Sequence, residues 1–312
     1  MTSDSYSTWQ ARQKVWEDFV STFSRALVTG GQIQTGPSTP ALLAPTDHSE
    51  DKIGAKVLMF SPHPDDEALI GGLALRLRVE MGTNVTNCAV TLGSNKVERP
   101  RRREEVEAAC KVLGFELVVP GNPSGLEKVT PHSRKESPSE WSKNVECIYE
   151  VLRQEQPDLI FLPHAEDFNP THIGTHLLVT DTLRRWRETV VRRPVVLIET
   201  EYWHELSEPN LLVGLRNETV ATLVMAVAEH GGEVSRNPYH IRLPARLIDN
   251  ARRGAEVVGG PGAAGCNFTF AELYRVSFLA GGEILWGARK GLIIGPEEKM
   301  QVTDLVEYFS PR

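Results

Sequence analysis

The sequence has no apolar stretch long enough to cross a membrane and no basic stripe with interleaved aromatic residues. A transmembrane helix needs about 20 consecutive, mostly apolar residues. The formal net charge is -7, and the densest basic run, at 99–103, is followed at once by Glu104 and Glu105. We therefore expect neither a membrane span nor a nucleic-acid partner.

Paired cysteines are also missing. The four cysteines, Cys88, Cys110, Cys147 and Cys266, lie far apart and form no Cys-x-x-Cys motif. This pattern is typical of reduced, buried thiols and not of a disulfide framework or a zinc knuckle. The polar N-terminal residues lack the apolar segment of a secretion signal. Together these features predict a cytoplasmic protein.

The common signatures of other enzyme classes are absent as well. There is no Gly-x-Ser-x-Gly motif, and no cysteine has a convincing histidine partner nearby, which argues against a serine or cysteine hydrolase. The segment "LIGGLAL" lacks the glycine spacing of a dinucleotide-binding turn. The glycine-rich stretch 259–265 neither follows a clear strand nor opens a clear helix, so we interpret it as a flexible loop.

Apolar runs alternate with helical patterns from residue 56 onward. "KVLMF" (56–60) and "DLIFLP" (158–163) are continuous apolar runs, as expected of strands covered on both faces. Further strands are predicted in 84–92, 115–119 and 194–203, and helices over 65–81, 100–113, 139–155 and 172–192. This alternation predicts an α/β fold: a mostly parallel, Rossmann-like three-layer sheet with helices on both faces, and a smaller, less regular C-terminal lobe.

Three regions follow from these patterns. Residues 1–52 are expected to hold an amphipathic helix over 8–28 and a linker, 53–200 the Rossmann-like catalytic core, and 201–312 the part that completes the sheet and the substrate cleft. Trp16, Phe19, Phe23 and Leu27 recur at helical spacing. We expect this apolar stripe to dock on the core of the same chain, with a neighbouring subunit in a homo-oligomer as the alternative.

The segment "SPHPDDE" places three carboxylates directly after His63, at the end of a buried strand. Acidic residues in a first helical turn complement the helix dipole, which accounts for one or two of them. Three adjacent carboxylates raise one another's pKa unless a positive charge lies between them. A divalent metal ion supplies such a charge, and His63 and Asp66 are spaced to converge on it.

A third ligand has to come from elsewhere, since catalytic zinc sites have three protein ligands and a water. "NPTHIGTH" offers His172 and His176, four residues apart on one face of a helix. From the spacing alone, either histidine can coordinate the ion.

The residues "SPHPDDEALIGG" resemble the signature of the PIG-L/LmbE family of zinc-dependent de-N-acetylases, which act on N-acetylglucosamine-containing compounds. "RRREEVEAACKVLGF" resembles the family's Arg-x-x-Glu segment, "PHAEDFNPTHIGTH" its second metal motif, and "AVAEHGGEV" is a weaker echo of a third motif, at His230. The resemblance covers about residues 55–235.

The resemblance implies a role for each matching residue. His63, Asp66 and His172 match the zinc ligands, with one Zn2+ per chain and Fe2+ as a substitute. Asp65 matches the general base, and Arg102 matches a substrate-contacting position. His176, one helical turn beyond His172, is a candidate for substrate contact.

The second motif departs from the usual His-Pro-Asp-His, because "NPTH" puts Asn169 at the position of a catalytic histidine. Asn169, His164 and Asp167 are therefore the candidates for that histidine's role. The implied function is removal of an N-acetyl group from a small-molecule N-acetylated sugar or sugar conjugate, with release of acetate. A non-catalytic metal- or sugar-binding protein and a zinc hydrolase of another amide are the alternatives.

Overall fold

The structure is a computed structural model that describes residues 3–33, 55–186, 195–280, 283–286, 291–301 and 305–307. Its described strands form one sheet in the order β3-β2-β1-β4-β5-β7-β6-β9, with β8 paired to β7. The strands are β1 (Lys56–Ser61), β2 (Asn84–Ala89), β3 (Glu116–Val118), β4 (Leu159–Pro163), β5 (Val195–Thr200), β6 (Leu211–Leu215), β7 (Phe270–Ala280), β8 (Glu283–Trp286) and β9 (Leu292–Ile294).

The helices connect these strands. They are α1 (Ser3–Gln32), α2 (Asp66–Leu69), α3 (Gly72–Met81), α4 (Arg99–Leu113), α5 (Pro131–Glu136), α6 (Pro138–Glu155), α7 (Pro170–Trp186), α8 (Asn217–Ala228), α9 (Gly231–Val234) and α10 (Tyr239–Gly259). The helix predicted over 65–81 is divided in two at Ile70 and Gly71. None of the helices in the described ranges has the length and apolar character needed to cross a membrane.

The first five strands are parallel, with β1 paired to both β2 and β4. Alternate residues of β1 enter two separate cores. Val57 and Met59 pack with α3, α4 and α8, whereas Leu58 and Phe60 pack with α6 and α7. Because both faces of β1 are covered, its sequence is continuously apolar. The predicted α/β fold with helices on both faces is therefore confirmed.

The C-terminal third extends the same sheet with mixed pairing. β7 is antiparallel to both β5 and β6, and β6 is parallel to β9. The helix α10 packs against β6 and β7, and its buried side chains include Ala251 and Val258. The stretch 259–265 begins at the last residue of α10 and continues as the loop toward β7.

The helix α1 does not dock on the core as expected. Its apolar stripe is exposed: Trp16, Phe23 and Leu27 keep 66%, 52% and 45% of their accessible surface. It contacts α10, where Gly30 lies against Ile241. The docking prediction is therefore wrong, and a role of this stripe in self-association stays a prediction.

Candidate metal centre and active site

Two neighbouring parallel strands bring the predicted ligands together. β1 ends at Ser61, just before His63 and Asp66, and β4 ends at Pro163, before the loop that leads into α7 and His172. Because β1 and β4 are adjacent and parallel, their carboxyl ends lie at the same edge of the sheet. Ligands collect at this edge in open α/β sheets.

His63 Nδ1, Asp66 Oδ2 and His172 Nε2 form a nearly equilateral triangle. The two imidazole nitrogens are 3.2 Å apart, and the Asp66 oxygen lies 3.4 Å from His63 Nδ1 and 3.3 Å from His172 Nε2. When two zinc–ligand bonds of about 2.05 Å meet at the tetrahedral angle, the two ligand atoms lie about 3.3 Å apart. The three donor atoms therefore fit three corners of a tetrahedral zinc site, and two histidines with one carboxylate also suit Fe2+.

Surrounding groups hold two of these ligands in place. Asp66 Oδ2 accepts a hydrogen bond from the backbone N–H of His63 at 2.9 Å. His172 Nδ1 is buried without a hydrogen-bond partner among the described residues, and Asp167 Oδ1 lies 3.6 Å from it. Asp167 in turn accepts backbone N–H groups from Asn169 and Trp203, at 2.7 and 3.1 Å. A carboxylate behind a metal-binding histidine is the usual means of fixing the ring.

The pKa values of Asp66 and His172 show how this cluster attracts positive charge. Burial raises the pKa of the Asp66 carboxyl, but the adjacent His172 and His63 rings outweigh burial and hold the pKa below its usual value. Burial lowers the pKa of His172, yet Asp66 and Asp167 together raise it to about 9. The folded site therefore attracts either a proton or a metal ion, and a metal ion competes with that proton.

Asp65 lies next to the ligands without belonging to the triangle. It is 6% exposed and lines the cavity described below. Burial raises its pKa well above the usual value, and the carboxylates of Asp66 and Glu67 add to the rise. Its φ of 109° is in the left-handed region, which costs a non-glycine residue about 1–3 kcal/mol.

Glu67 and His230 hold Asp65 in this conformation. Glu67 Oε2 accepts the backbone N–H of Asp65 at 3.1 Å, and Glu67 Oε1 lies 2.7 Å from His230 Nε2. Both side chains are almost completely buried. The sequence carries only a weak motif at His230 and no signal for a role of Glu67, because 163 residues separate the two.

Asn169, just before α7, and Arg102, in α4, both line the cavity. Asn169 Oδ1 accepts the backbone N–H of Thr171 at 2.8 Å, at the start of α7. Arg102 Nη2 donates to the Pro64 carbonyl oxygen at 3.3 Å. Gly93 permits this position: its φ is +87°, and a Cβ there would lie 2.3 Å from Arg102 Nη1.

His164, Asp167 and His176 are placed behind the cavity wall. His176 Nδ1 donates to the Pro163 carbonyl oxygen at 2.9 Å, so its ring faces the end of β4. His164 Nε2 lies 3.0 Å from the His204 carbonyl oxygen, and its Nδ1 accepts the backbone N–H of Glu166. Although His164, Glu166 and His204 lie close enough to hold an ion, both ring nitrogens of His164 are already engaged with the backbone.

The donor triangle opens into a cavity of about 940 Å³. Its walls come from the β2–α4 loop, the segment before α5, the start of α7, the residue Trp203 after β5, and the segment between α9 and α10. The residues discussed here that line it are His63, Asp65, Asp66, Arg102, Asn169, His172, Trp203 and Tyr239. A cavity of this size accommodates a drug-sized ligand.

Solved structures with the same fold include enzymes of more than one reaction class. N,N'-diacetylchitobiose deacetylase from Pyrococcus horikoshii is 17% identical with a TM-score of 0.50, over 73% of this chain and 86% of that one. The A40926 pseudoaglycone deacetylase is 19% identical with a TM-score of 0.50, over 70% and 95%. The 4-carboxy-2-hydroxymuconate hydratase GalB from Pseudomonas putida KT2440 is 17% identical with a TM-score of 0.50, over 71% and 95%. At these identities the likeness shows the fold alone.

The family match covers the part of the sequence that runs from β1 to α7. Residues 58–183 match the family described as PIG-L: GlcNAc-PI de-N-acetylase. This range contains all three residues of the donor triangle, together with Asp65, Arg102 and Asn169. Residues 58–183, the part of the chain that carries the donor triangle, are therefore similar to the PIG-L family.

Proposed function

We propose that this protein is a metal-dependent hydrolase that removes the N-acetyl group from an amino-sugar-containing small molecule and releases acetate. The observation that carries the proposal is a donor triangle of tetrahedral dimensions with a buried, uncoordinated carboxylate, Asp65, beside it in an open cavity. The family match and the deacetylases that share the fold support it.

His63, Asp66 and His172 would hold the ion. A bound zinc ion polarises a carbonyl group and lowers the pKa of water from about 15.7 to about 7. Asp65 is the base of the reaction: its carboxylate accepts a proton from the water whose oxygen joins the acetyl carbon. As the C–N bond breaks, Asp65 returns this proton to the leaving nitrogen, so that amide and water become acetate and amine.

Burial and the carboxylates of Asp66 and Glu67 raise the pKa of Asp65, and this direction suits a base that later returns its proton as an acid. Asn169 is assigned the stabilisation of the carbonyl oxygen. Its Oδ1 is occupied by Thr171, but an amide has two further N–H donors. A hydrogen-bond donor of this kind contributes about 10²–10³-fold to the rate of related reactions.

The proposal is tested by separating metal binding from turnover. Asp65→Asn should keep about one metal ion per chain by elemental analysis, with zinc expected and iron the alternative, while acetate release falls by orders of magnitude. His172→Ala should lose the metal. Asp249→Asn, on an exposed carboxylate of α10, is the matched control and should resemble the wild type in both measurements.

Acetate release is measured on a panel of N-acetylated sugars and sugar conjugates. Full turnover by Asp65→Asn would contradict the assignment of the base. If the metal-loaded wild type releases acetate from no member of the panel, the deacetylase proposal fails and the non-catalytic alternative is favoured. Release from simple N-acetyl amides but not from sugars would favour a zinc hydrolase of another amide.

A further inference from the structure

The mouth of the cavity carries an unusual share of the protein's exposed large hydrophobic side chains. Outside α1, those of the described residues are Val97, Phe168, Trp203 and Val257. Trp203 lines the cavity, Val97 lies between the lining residues Lys96 and Glu98, and Phe168 directly precedes the lining residue Asn169. Three of the four therefore line the cavity or adjoin a residue that lines it, and exposed apolar surface concentrated in this way marks a binding site.

Trp203 is the part of this surface nearest to the metal ligands. Its ring centroid lies 6.5 Å from that of His172 and 5.2 Å from that of Tyr239, which also lines the cavity. The backbone N–H of Trp203 donates to Asp167, the carboxylate behind His172. The indole, still 40% exposed, is therefore held beside the reaction centre while its ring remains accessible.

Phe168 extends the aromatic surface outward. Its side chain is 72% exposed, and its ring centroid lies 4.5 Å from that of His204, the residue that follows Trp203. Tyr239 and Trp203 thus form one ring pair that lines the cavity, and His204 and Phe168 form a second pair that follows it in the chain at Trp203–His204. We call these four residues the aromatic strip.

Several charged groups at the same opening form ion pairs with one another, whereas Arg102 and Lys128 line the cavity outside these pairs. Arg99 and Lys96 share Glu127, Arg101 pairs with both Glu98 and Glu105, and Arg236 pairs with Glu233. The ion-paired groups therefore offer a ligand little net charge, whereas aromatic faces gain from any apolar group that covers them. The cavity, at about 940 Å³, is near the upper end of the range for small-molecule sites, so it has room for more than one sugar ring.

We propose that the aromatic strip binds an apolar aglycone, so that the substrates are sugar conjugates with an apolar group attached to the N-acetylated sugar. This inference rests on the proposed function for the position of the sugar. The strip includes Trp203, beside the proposed metal ligand His172, and the exposed Phe168, so a group attached to a sugar at the metal would have apolar surface to cover there.

The test compares glycosides that differ only in their aglycone. For the wild type, kcat/KM for acetate release should be at least about tenfold higher for the phenyl and octyl glycosides of N-acetylglucosamine than for the methyl glycoside, since one well-packed apolar group is worth this much. The ratio should fall toward one in Phe168→Ala and in Trp203→Ala. Val257→Ala removes an exposed apolar side chain that does not line the cavity, and the ratio should persist.

Each outcome separates the alternatives. Equal kcat/KM for the methyl, phenyl and octyl glycosides in the wild type would overturn the inference, as would a ratio that survives in both variants. A gain for the phenyl but not the octyl glycoside would assign the strip to aromatic aglycones, and the reverse to lipid-like ones. Phe168→Ala removes a mostly exposed ring, so it keeps the test valid even if Trp203→Ala fails to fold.

A binding measurement distinguishes failure of this inference from failure of the proposed function. Calorimetry with the metal-loaded Asp65→Asn protein compares the affinity for the methyl and phenyl glycosides without any turnover. If no substrate releases acetate but the phenyl glycoside still binds at least about tenfold more tightly, the proposed reaction fails and the strip stands. If acetate is released but the methyl and phenyl glycosides bind with equal affinity, the inference about the aromatic strip fails and the proposed function is retained.

Discussion

At the scale of single residues, the site combines local signals with one contact that only the fold provides. His63 and Asp66 were predictable because a spacing of three residues brings their side chains together across one turn. His172 required the further knowledge that β1 and β4 are neighbours, which the sequence suggests only through the family resemblance. Glu67 was not predictable, because its partner His230 lies 163 residues away and no periodicity connects them.

The first prediction concerns the Glu67–His230 pair. Glu67→Ala removes the acceptor for the Asp65 N–H and leaves His230 Nε2 without its partner, and all of these groups are buried. Loss of one member of a buried pair costs about 3–5 kcal/mol of unfolding free energy. Since Asp65 then loses the group that holds its left-handed backbone, kcat should also fall by at least about tenfold. Urea unfolding and steady-state kinetics measure the two effects.

Glu67→Gln is the matched control. Its amide retains an oxygen for the Asp65 N–H, so kcat should recover toward the wild type if Glu67 acts by positioning Asp65. Metal content should stay near one ion per chain in both variants, because none of the three residues of the donor triangle is changed in either of them. A Glu67→Ala protein with wild-type stability and kcat would contradict the role of the pair.

At the scale of helices and strands, the apolar runs predicted β1 and β4 well because these strands are covered on both faces. The C-terminal third was harder to interpret. Its strand β7 pairs antiparallel with both β5 and β6, although about 55 residues separate β7 from β6, so strands that are partners in the sheet lie far apart in the sequence. The stripe on α1 was recognised as amphipathic, but periodicity does not show whether an apolar face is covered.

The second prediction concerns α7, the helix that carries His172. Gly174 faces the segment before α5, and a Cβ at this position would lie 2.3 Å from the Val129 carbonyl oxygen. Gly174→Ala should therefore shift α7 or that segment and lower the unfolding free energy by about 1–3 kcal/mol. Because the helix positions His172, the affinity for zinc should fall as well. Urea unfolding and a metal-competition titration are the measurements.

The control for this substitution is Gly31→Ala in α1. Gly31 is helical, and nothing lies within 4 Å of a Cβ placed there. This variant should be as stable as the wild type or more stable, because alanine has the higher helix propensity. If Gly174→Ala matched Gly31→Ala in stability and zinc affinity, the contact with Val129 would not constrain the helix.

At the scale of the whole molecule, the carboxyl end of the sheet contains two kinds of buried ionisable group: some favour their charged form and others favour their neutral form. The cluster around Asp66 and His172 favours charged forms, as described above. One helical turn further along α7, burial lowers the pKa of His176, and burial likewise lowers the pKa of His164. The same end of the sheet therefore holds charged groups at the cavity and neutral histidines behind it, and the neutral ones link folding to pH.

The third prediction uses His176 to measure this linkage. In the unfolded chain a histidine takes up a proton below about pH 6.5, whereas folded His176 stays neutral until its lower pKa is reached. Its contribution to stability is therefore complete above about pH 6.5 and is lost as the pH falls toward the folded pKa, with a slope of up to about 1.4 kcal/mol per pH unit. Urea unfolding from pH 7 to pH 5 measures the slope.

His176→Asn isolates the effect, because the asparagine Nδ2 can still donate to the Pro163 carbonyl oxygen but does not titrate. The unfolding free energy of this variant should decline less steeply than that of the wild type between pH 6.5 and 5. The contributions of His164, Asp66 and His172 are common to both proteins, so they cancel in the difference between the two curves. Parallel curves would mean that folded His176 takes up its proton as readily as the unfolded chain does, and that the end of β4 is open to water.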